Sequence, residues 1–421
     1  MWPIVFTALF AAALSLFPRT ATAVERFPPP EFESGYEIPQ PTAPEPRARP
    51  YDYLDTAVLM AALAAAAWFV LKMRSRKAVF VLMVLCLLYL GFWRGGCVCP
   101  VGAAQNVILA VFDAEYVASW IVILFFFAPL AACLFFGRVF CSSVCPLGAV
   151  QDLVVFKPVQ VPAWLESPLR LTAYLYLGTT VLMAATGSAF VICRYDPFVA
   201  LFRLSGSINI LVMAGCLLVM GIFIGRPYCR FLCPYGVILR NVSRVSKWHV
   251  TITPQDCVKC RLCEDSCPFG AIRPPAKATP ESSRPMLKRR LAVSMAAIPV
   301  LAAAGGWAGY KASGLLARVH PTTRLAERVF LEDTGKAEGT TDASDAFRGT
   351  GEEAETLYAE AADIGALFGR GSILLGAFMG LVAAVKLAQA LVGPGNDNYI
   401  ADRASCLACG RCFQYCPVDR K

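Results

Sequence analysis

The chain has 421 residues, 57% of them hydrophobic and 16% charged, with a formal net charge of +9 and a mean hydropathy of +0.54. So apolar a composition excludes an ordinary soluble domain. The positive balance is what the cytoplasmic loops of a membrane protein carry, so it calls for no nucleic-acid partner. With 18 cysteines against 2 histidines, the chain points to soft-metal chemistry rather than to a plain core.

Residues 1–23 form a short apolar segment ending Ala21-Thr22-Ala23, which reads as a signal peptide or as an uncleaved anchor helix. Residues 24–50 are rich in Pro and Glu without periodicity and read as an external linker. Apolar stretches follow at 53–71, 78–94, 117–136, 170–192, 208–224, 290–311 and 371–392, each of a length to cross ~30 Å of hydrocarbon. The expected fold is an integral membrane α-helical bundle of about seven spans carrying a small α+β dicluster ferredoxin-like domain. Residues 53–250 form the membrane domain and 251–275 and 400–421 the two ferredoxin halves. Lys72, Arg74, Arg76 and Lys77 put the first loop inside. Counting on, Cys97 and Cys193 are outside, and residues 137–169 and 225–289 are inside. The loop 313–370 is outside; it is acidic and reads as a docking surface for a partner.

The strongest motif is Cys257-x2-Cys260-x2-Cys263-x3-Cys267-Pro268, the bacterial ferredoxin run. It recurs as Cys406-x2-Cys409-x2-Cys412-x3-Cys416-Pro417. In such pairs the fourth cysteine of each run serves the other cluster. Cys257, Cys260, Cys263 and Cys416 are then the ligands of one [4Fe–4S] cluster, and Cys406, Cys409, Cys412 and Cys267 those of a second. Zinc sites use separated cysteine pairs and do not share this spacing. Cross-ligation requires both halves on one side of the membrane, and two spans between them meet that demand.

A second set of cysteines forms an internal repeat. Gly137-Arg138-Val139-Phe140-Cys141-x3-Cys145-Pro146-Leu147-Gly148 recurs as Gly225-Arg226-Pro227-Tyr228-Cys229-x3-Cys233-Pro234-Tyr235-Gly236. Cysteines four apart share a helical face, so Cys141, Cys145, Cys229 and Cys233 are a candidate four-thiolate site for a third cluster; two structural or redox-active pairs are the alternative. A variant, Cys97-Val98-Cys99-Pro100-Val101-Gly102-Ala103-x-Gln105, matches the continuation Gly148-Ala149-x-Gln151 of the inner copy. Cys97, Cys99 and Cys193 make an outer set, either a disulfide with a spare thiol or a redox metal site. It is expected across the membrane from the ferredoxin halves, so an intermediate carrier is needed. Cys86, Cys133 and Cys216 read as small hydrophobes. His249 and His320 lie outside the predicted spans, and no Cys-x-x-Cys-His, Rossmann fingerprint or P-loop occurs.

The paired Gly-Arg-x-aromatic-Cys-x3-Cys-Pro motifs between spans, followed by ferredoxin runs, resemble the NapH/NosR-type polyferredoxin membrane proteins. The resemblance covers residues 53–270 and 400–421. It implies clusters that exchange electrons with a quinone pool and with partners across the membrane. NosR-like members carry an external flavin-binding domain that residues 24–50 are too short to form. A separate external flavin or haem protein and a cytoplasmic redox donor are therefore the expected partners. The expected location is the bacterial cytoplasmic (inner) membrane, with the ferredoxin domain cytoplasmic. The function expected is membrane-bound electron transfer of quinol dehydrogenase type; the alternative is an iron–sulfur maturation or regulatory factor for a respiratory metalloenzyme.

Overall fold

The computed structural model describes residues 49–96, 99–114, 116–252, 257–275, 284–391 and 398–418. The leader or anchor at 1–23, the linker as far as residue 48, and Cys97 lie outside these described residues.

Two long helices open the fold: α1, Arg49–Leu71, and α2, Arg76–Cys86, which runs on as a π-helical turn over Leu87–Trp93. The short α3, Pro100–Phe112, precedes α4, Trp120–Phe136. A second π-helical turn, Phe140–Val144, leads into α5, Pro146–Leu153. Next come α6, Ala163–Ala185; α7, Val191–Tyr195; α8, Pro197–Arg203; and α9, Ile208–Phe223. The membrane region closes with α10, Pro227–Phe231, and α11, Pro234–Ser243.

A local rule recurs. Helices α3, α5, α8 and α11 each start with proline, whose fixed φ and missing N–H suit the first helical position. The residue before each proline is extended and caps the helix: Cys99, Cys145, Asp196 and Cys233. The Cys-Pro dipeptide therefore works as a device that sets a sulfur at a helix start.

Among the described residues four helices are long and apolar enough to cross a membrane: Pro50–Leu71, Arg76–Trp93, Ala292–Ala317 and Ala354–Gln389. There are five if α8 and α9, which meet at 105°, count as one broken span. Every predicted span holds a helix, but α4 has only 17 residues and α6 carries Glu166 and Arg170 near its start. The chain is thus mostly helical with four candidate spans.

The ferredoxin halves meet through an antiparallel pair, β1 (Ile272–Arg273) with β2 (Ile400–Ala401), in which Ile272 faces Ala401. Helix α12, Leu262–Asp265, packs on the helix after β2, Arg411–Tyr415. Between the halves stand α13, Arg284–Ala317; α14, Pro321–Asp333; α15, Asp342–Gly349; and α16, Ala354–Leu391. Arg411–Tyr415 is then α17. Helix α16 begins well before residue 371, so much of the expected outer loop is helical. Ala326, Val329, Phe347 and Leu357 give α14, α15 and the start of α16 a small core of their own. Some of the acidity is used inside it: Glu332 accepts hydrogen bonds from Arg328 at 2.7 Å and Arg348 at 2.8 Å.

Helices α13 and α16 form a close hairpin. A Cβ at Gly305 or Gly309 would strike the backbone of Gly376 or Ser372, and one at Gly376 or Gly380 would strike Gly305 or Leu301. Gly305-x3-Gly309 and Gly376-x3-Gly380 are small-residue seams that let two backbones approach where helix association rests on van der Waals packing. Gly376→Leu is expected to push the hairpin apart and lower thermal stability in detergent by at least the ~1–3 kcal/mol typical of overpacking. Gly369→Leu on the same helix, where a Cβ meets nothing within 4 Å, is the control expected to change little.

Candidate metal centres

The two ferredoxin runs share one backbone recipe. Residues two and four beyond the first cysteine take left-handed conformations in both: Lys259 and Arg261 at φ 52° and 66°, Ala408 and Gly410 at φ 54° and 73°. Such alternation turns successive N–H groups toward one side, a shape that suits anionic sulfur. Ala408 N–H donates to Cys406 Sγ at 3.4 Å, and Ala271 N–H to Cys267 Sγ at 3.4 Å.

Cys267 lines one cavity together with Cys406, Cys409 and Cys412, closed by Val250, Phe269, Ile272 and Leu407. The fourth cysteine of the first run therefore stands with the first three of the second. Cys263 lies within electrostatic range of Cys257 and Cys260. Cys416 follows α17, which packs on the helix carrying Cys263. Burial pushes the Cys406 thiol up to about 12, and it also raises Cys267 and Cys412. Thiols held so high keep their protons until a metal displaces them. Among the described residues no three His, Cys, Asp or Glu side chains converge as a single ion would need. A polynuclear cluster instead spreads its thiolates around a core, and four soft donors in an apolar box fit one.

The ferredoxin unit is seated on the two Gly-Arg loops. Arg138 donates to Ala404 O at 3.2 Å and reaches Cys141 Sγ at 3.8 Å. Fully buried Arg226 donates to the carbonyls of Cys141 and Ser142 and stands over the Phe269 ring. Arg230 joins Glu166 to Pro268 O, and Gln160 donates to Cys267 O at 2.9 Å. A Cβ on Gly225 would come within 2.7 Å of Pro268 O, so only glycine lets the ferredoxin backbone settle there.

Asp152 gathers three of these strands of chain. Its carboxylate pairs with Arg76 at 2.7 Å, Arg226 at 3.3 Å and Arg411 at 3.4 Å, and its side chain is fully buried. Burial opposes its charge, but the guanidiniums of Arg226, Arg411 and Arg76 hold the carboxyl well below the usual carboxylate range. Arg76 also donates to Cys409 O at 3.2 Å. No motif singled out Asp152, Arg76 or Arg411 in the sequence; only adjacency to the repeated Gln151 marks the first.

Cys141, Cys145, Cys229 and Cys233 come together. Cys145 lies within electrostatic range of the other three, and Cys233 within range of Cys229 and Cys141. Gln151 holds the two motifs in register: its Oε1 accepts from Tyr228 N–H at 2.9 Å, and its Nε2 donates to Cys229 Sγ at 3.3 Å. Gly236 N–H donates to Cys233 Sγ at 3.2 Å.

The outer set sits elsewhere than the sequence suggests. Cys99 and Cys193 line one cavity with Asp196. Cys99 is within electrostatic range not only of Cys193 but of Cys145 and Cys233. Helices α3, α5 and α11, which these cysteines cap, all start inside the bundle, which is why Cys99 stands near the Cys-x3-Cys-Pro pairs. A larger cavity of about 930 Å³ opens between residues 188–195 and α14. Arg194 lines it with Arg318, Arg324, Arg328 and Glu327 of the loop expected to be acidic, so arginines outnumber the acid on this face.

Two models of 4Fe–4S binding domains match the chain, one over residues 118–159 and 207–253, which carry both Cys-x3-Cys-Pro motifs, and one over 250–273. The class is therefore that of ferredoxin-type 4Fe–4S proteins with apolar helices. Similar curated proteins include the putative electron transport protein YccM of Escherichia coli, 30% identical over 31% of this chain and 41% of its own. Protein NirI of Paracoccus denitrificans is 31% identical over 44% of this chain and 29% of its own. The regulatory protein NosR of Pseudomonas aeruginosa is 28% identical over 34% of this chain and 22% of its own. The matched region thus spans less than half the length of each of these relatives. No solved structure matches the chain. Over these segments the chain is similar to the NosR/NirI-type iron–sulfur membrane proteins.

Removing the Asp152 charge leaves three guanidiniums facing one another in a dry seam. Asp152→Asn is expected to cost about 3–5 kcal/mol, the range for breaking a buried pair, read by thermal unfolding in detergent. A depressed carboxyl contributes stability that is present above its unfolded value and lost as pH falls through the folded one. Melting temperature is therefore expected to show no Asp152-dependent change between about pH 5 and 8, and the advantage over Asp152→Asn to shrink only below about pH 4.

Proposed function

We propose that the chain is a membrane-bound electron-transfer protein linking cytoplasmic [4Fe–4S] clusters, the quinone pool and an external redox partner. In this reading Cys257, Cys260, Cys263 and Cys416 hold one cluster, and Cys406, Cys409, Cys412 and Cys267 hold the other. Cys141, Cys145, Cys229 and Cys233 hold a third group that carries the path into the bilayer. When bound, the clusters supply one-electron chemistry; the residues hold them, exclude water and fix their spacing. The supporting observation is the seam between the Gly-Arg loops and the ferredoxin unit. The Arg138 guanidinium touches both Cys141 Sγ and the backbone at Ala404, two residues before Cys406. One arginine thus ties the ferredoxin backbone beside Cys406 to Cys141, as short electron steps need.

The side of the membrane follows from charge. Lys72, Arg74, Arg76 and Lys77 lie at the ferredoxin end of α1 and α2, where Arg74 donates to Thr251 O and Arg76 to Cys409 O. By the positive-inside rule we read that end as cytoplasmic, and the membrane as the bacterial inner one. The arginine-rich cavity between residues 188–195 and α14 suits an acidic face of an external flavin or haem partner. A second reading, a maturation or regulatory factor, is favoured by the similarity to the regulatory protein NosR.

Anaerobic mixing of the purified full chain with a quinol separates the readings. Transfer at turnover rates to an external acceptor is expected for the first, and reduction only over many minutes for the second. Cys145→Ser with Cys233→Ser is expected to lower iron content and to stop electron flow from quinol to the external acceptor. The ferredoxin signals in electron paramagnetic resonance should remain reducible by a soluble donor. Full iron content and full flow in the double variant would make these cysteines structural. Independently, Cys416→Ala is expected to damage the cluster of the Cys257 group and spare that of the Cys406 group; the reverse outcome would overturn the pairing.

A further inference from the structure

The outer cysteines repeat the architecture of the inner ones. Cys99 and Cys145 each cap a proline-led helix, and each is followed by glycine at the third position and glutamine at the sixth. Gln105 and Gln151 are both fully buried. Gln151 Oε1 accepts from the N–H of Tyr228, the residue before Cys229; Gln105 Oε1 accepts from the N–H of Ile192, the residue before Cys193. Cys193 therefore stands to Cys99 as Cys229 stands to Cys145. Arginine and an aromatic follow in both cases: Arg194-Tyr195 and Arg230-Phe231. The residue that caps the next proline-led helix comes next in the outer copy, Asp196, and one residue later, after Leu232, in the inner copy, Cys233.

Three further observations bear on a ligand at this place. A Cβ on Gly102 would lie 3.1 Å from Cys193 Sγ, so the glycine makes room for that sulfur over the first turn of α3. Asp196 is 3% exposed and lines the same cavity, of about 230 Å³, as Cys99 and Cys193. Its Oδ1 accepts from the N–H groups of Phe198 and Val199, while Oδ2 takes one bond, from Tyr228 O–H at 3.1 Å, and keeps acceptor capacity. Finally, Gln105 Nε2 is buried without a hydrogen-bond partner among the described residues, whereas its counterpart Gln151 Nε2 donates to Cys229 Sγ. A buried N–H left unpaired is costly, and the repeat shows what it is built to meet: an anionic sulfur at Cys193.

We propose that Cys99, Cys193 and Asp196 form a second metal site, with mixed thiolate and carboxylate ligands, that holds an iron–sulfur group beside the inner four-cysteine site. The proposal rests on the reading of that inner site as a cluster site. Replacing one soft thiolate by a harder carboxylate keeps the ligand anionic but makes one position the weaker. Gln105 is the positioning residue, giving its amide N–H to the Cys193 thiolate, and such bonds to sulfur tune reduction potential.

The test uses the full-length chain, purified in detergent under anaerobic conditions and reconstituted with ferrous iron and sulfide. Iron, acid-labile sulfide and zinc are counted for the native chain, Cys193→Ala, Asp196→Cys, Gln105→Leu and the Cys145→Ser/Cys233→Ser pair. Cys193→Ala is expected to lose about 2–4 iron atoms per chain, with ferredoxin and inner-site resonances unchanged. Asp196→Cys is expected to keep that iron and alter its resonance, and Gln105→Leu to keep it with a shifted midpoint potential. The ferredoxin signals report folding in every variant. Unchanged iron and sulfide in Cys193→Ala would overturn the proposal, as would zinc in place of iron or recovery of Cys99 and Cys193 as a disulfide. If only the Cys145→Ser/Cys233→Ser pair leaves iron unchanged, the inner-site reading fails and the outer site stands on its own count.

Discussion

The buried carboxylate of Asp152 is the constraint on which the remaining architecture turns. It draws in Arg76 from the start of α2, Arg226 from the loop before α10, and Arg411 from α17. These residues come from the first third, the middle and the last dozen residues of the chain. A carboxylate in an apolar seam is tolerated only when cations and hydrogen bonds surround it. The three guanidiniums in turn need it, because removed from water they would repel one another. The mutual requirement fixes the ferredoxin unit against the membrane helices with little freedom to slide.

That fixed seam gives the sulfur atoms an order. Cys409 lies against Arg76 and within electrostatic range of Arg226. Arg226 in turn reaches the backbone at Cys141 and Ser142. Cys141, Cys145, Cys229, Cys233 and Cys99 lie within electrostatic range of Cys145 or Cys233, and Cys99 also of Cys193. The short proline-led helices make this proximity possible. Each begins within the bundle and sets its capping residue there, whereas an unbroken span would leave these residues at opposite surfaces.

The ferredoxin unit raises a different problem, since its second half arrives only after two long helices. The glycine seam between α13 and α16 solves it. Backbones in direct contact make the excursion a narrow hairpin, and its two feet stand close enough for β1 to pair with β2. Loop-closure cost grows only slowly with length, so a rigid hairpin can be inserted between the halves of one folding unit at tolerable cost.

The sequence by itself determined the chemistry and much of the layout. The ferredoxin spacing is legible because cluster ligation admits few spacings, and the helices because apolar runs of bilayer length have few other readings. Kinship of the 97–105 and 141–151 segments was also legible, since local repeats survive in the order of residues. Tertiary structure alone decided which distant residues share a site. Asp152 carries no local pattern, and its three partners lie up to 259 positions away. Asp196 shows its equivalence to Cys233 only once Gln105 and Gln151 are seen holding corresponding backbones. The closeness of inner and outer cysteines was hidden from the sequence for a related reason. Hydropathy counts apolar residues along the chain, and it does not register a helix that starts in mid-bundle. Such a start depends on burial of a capped end by neighbours remote in sequence, which is a property of packing.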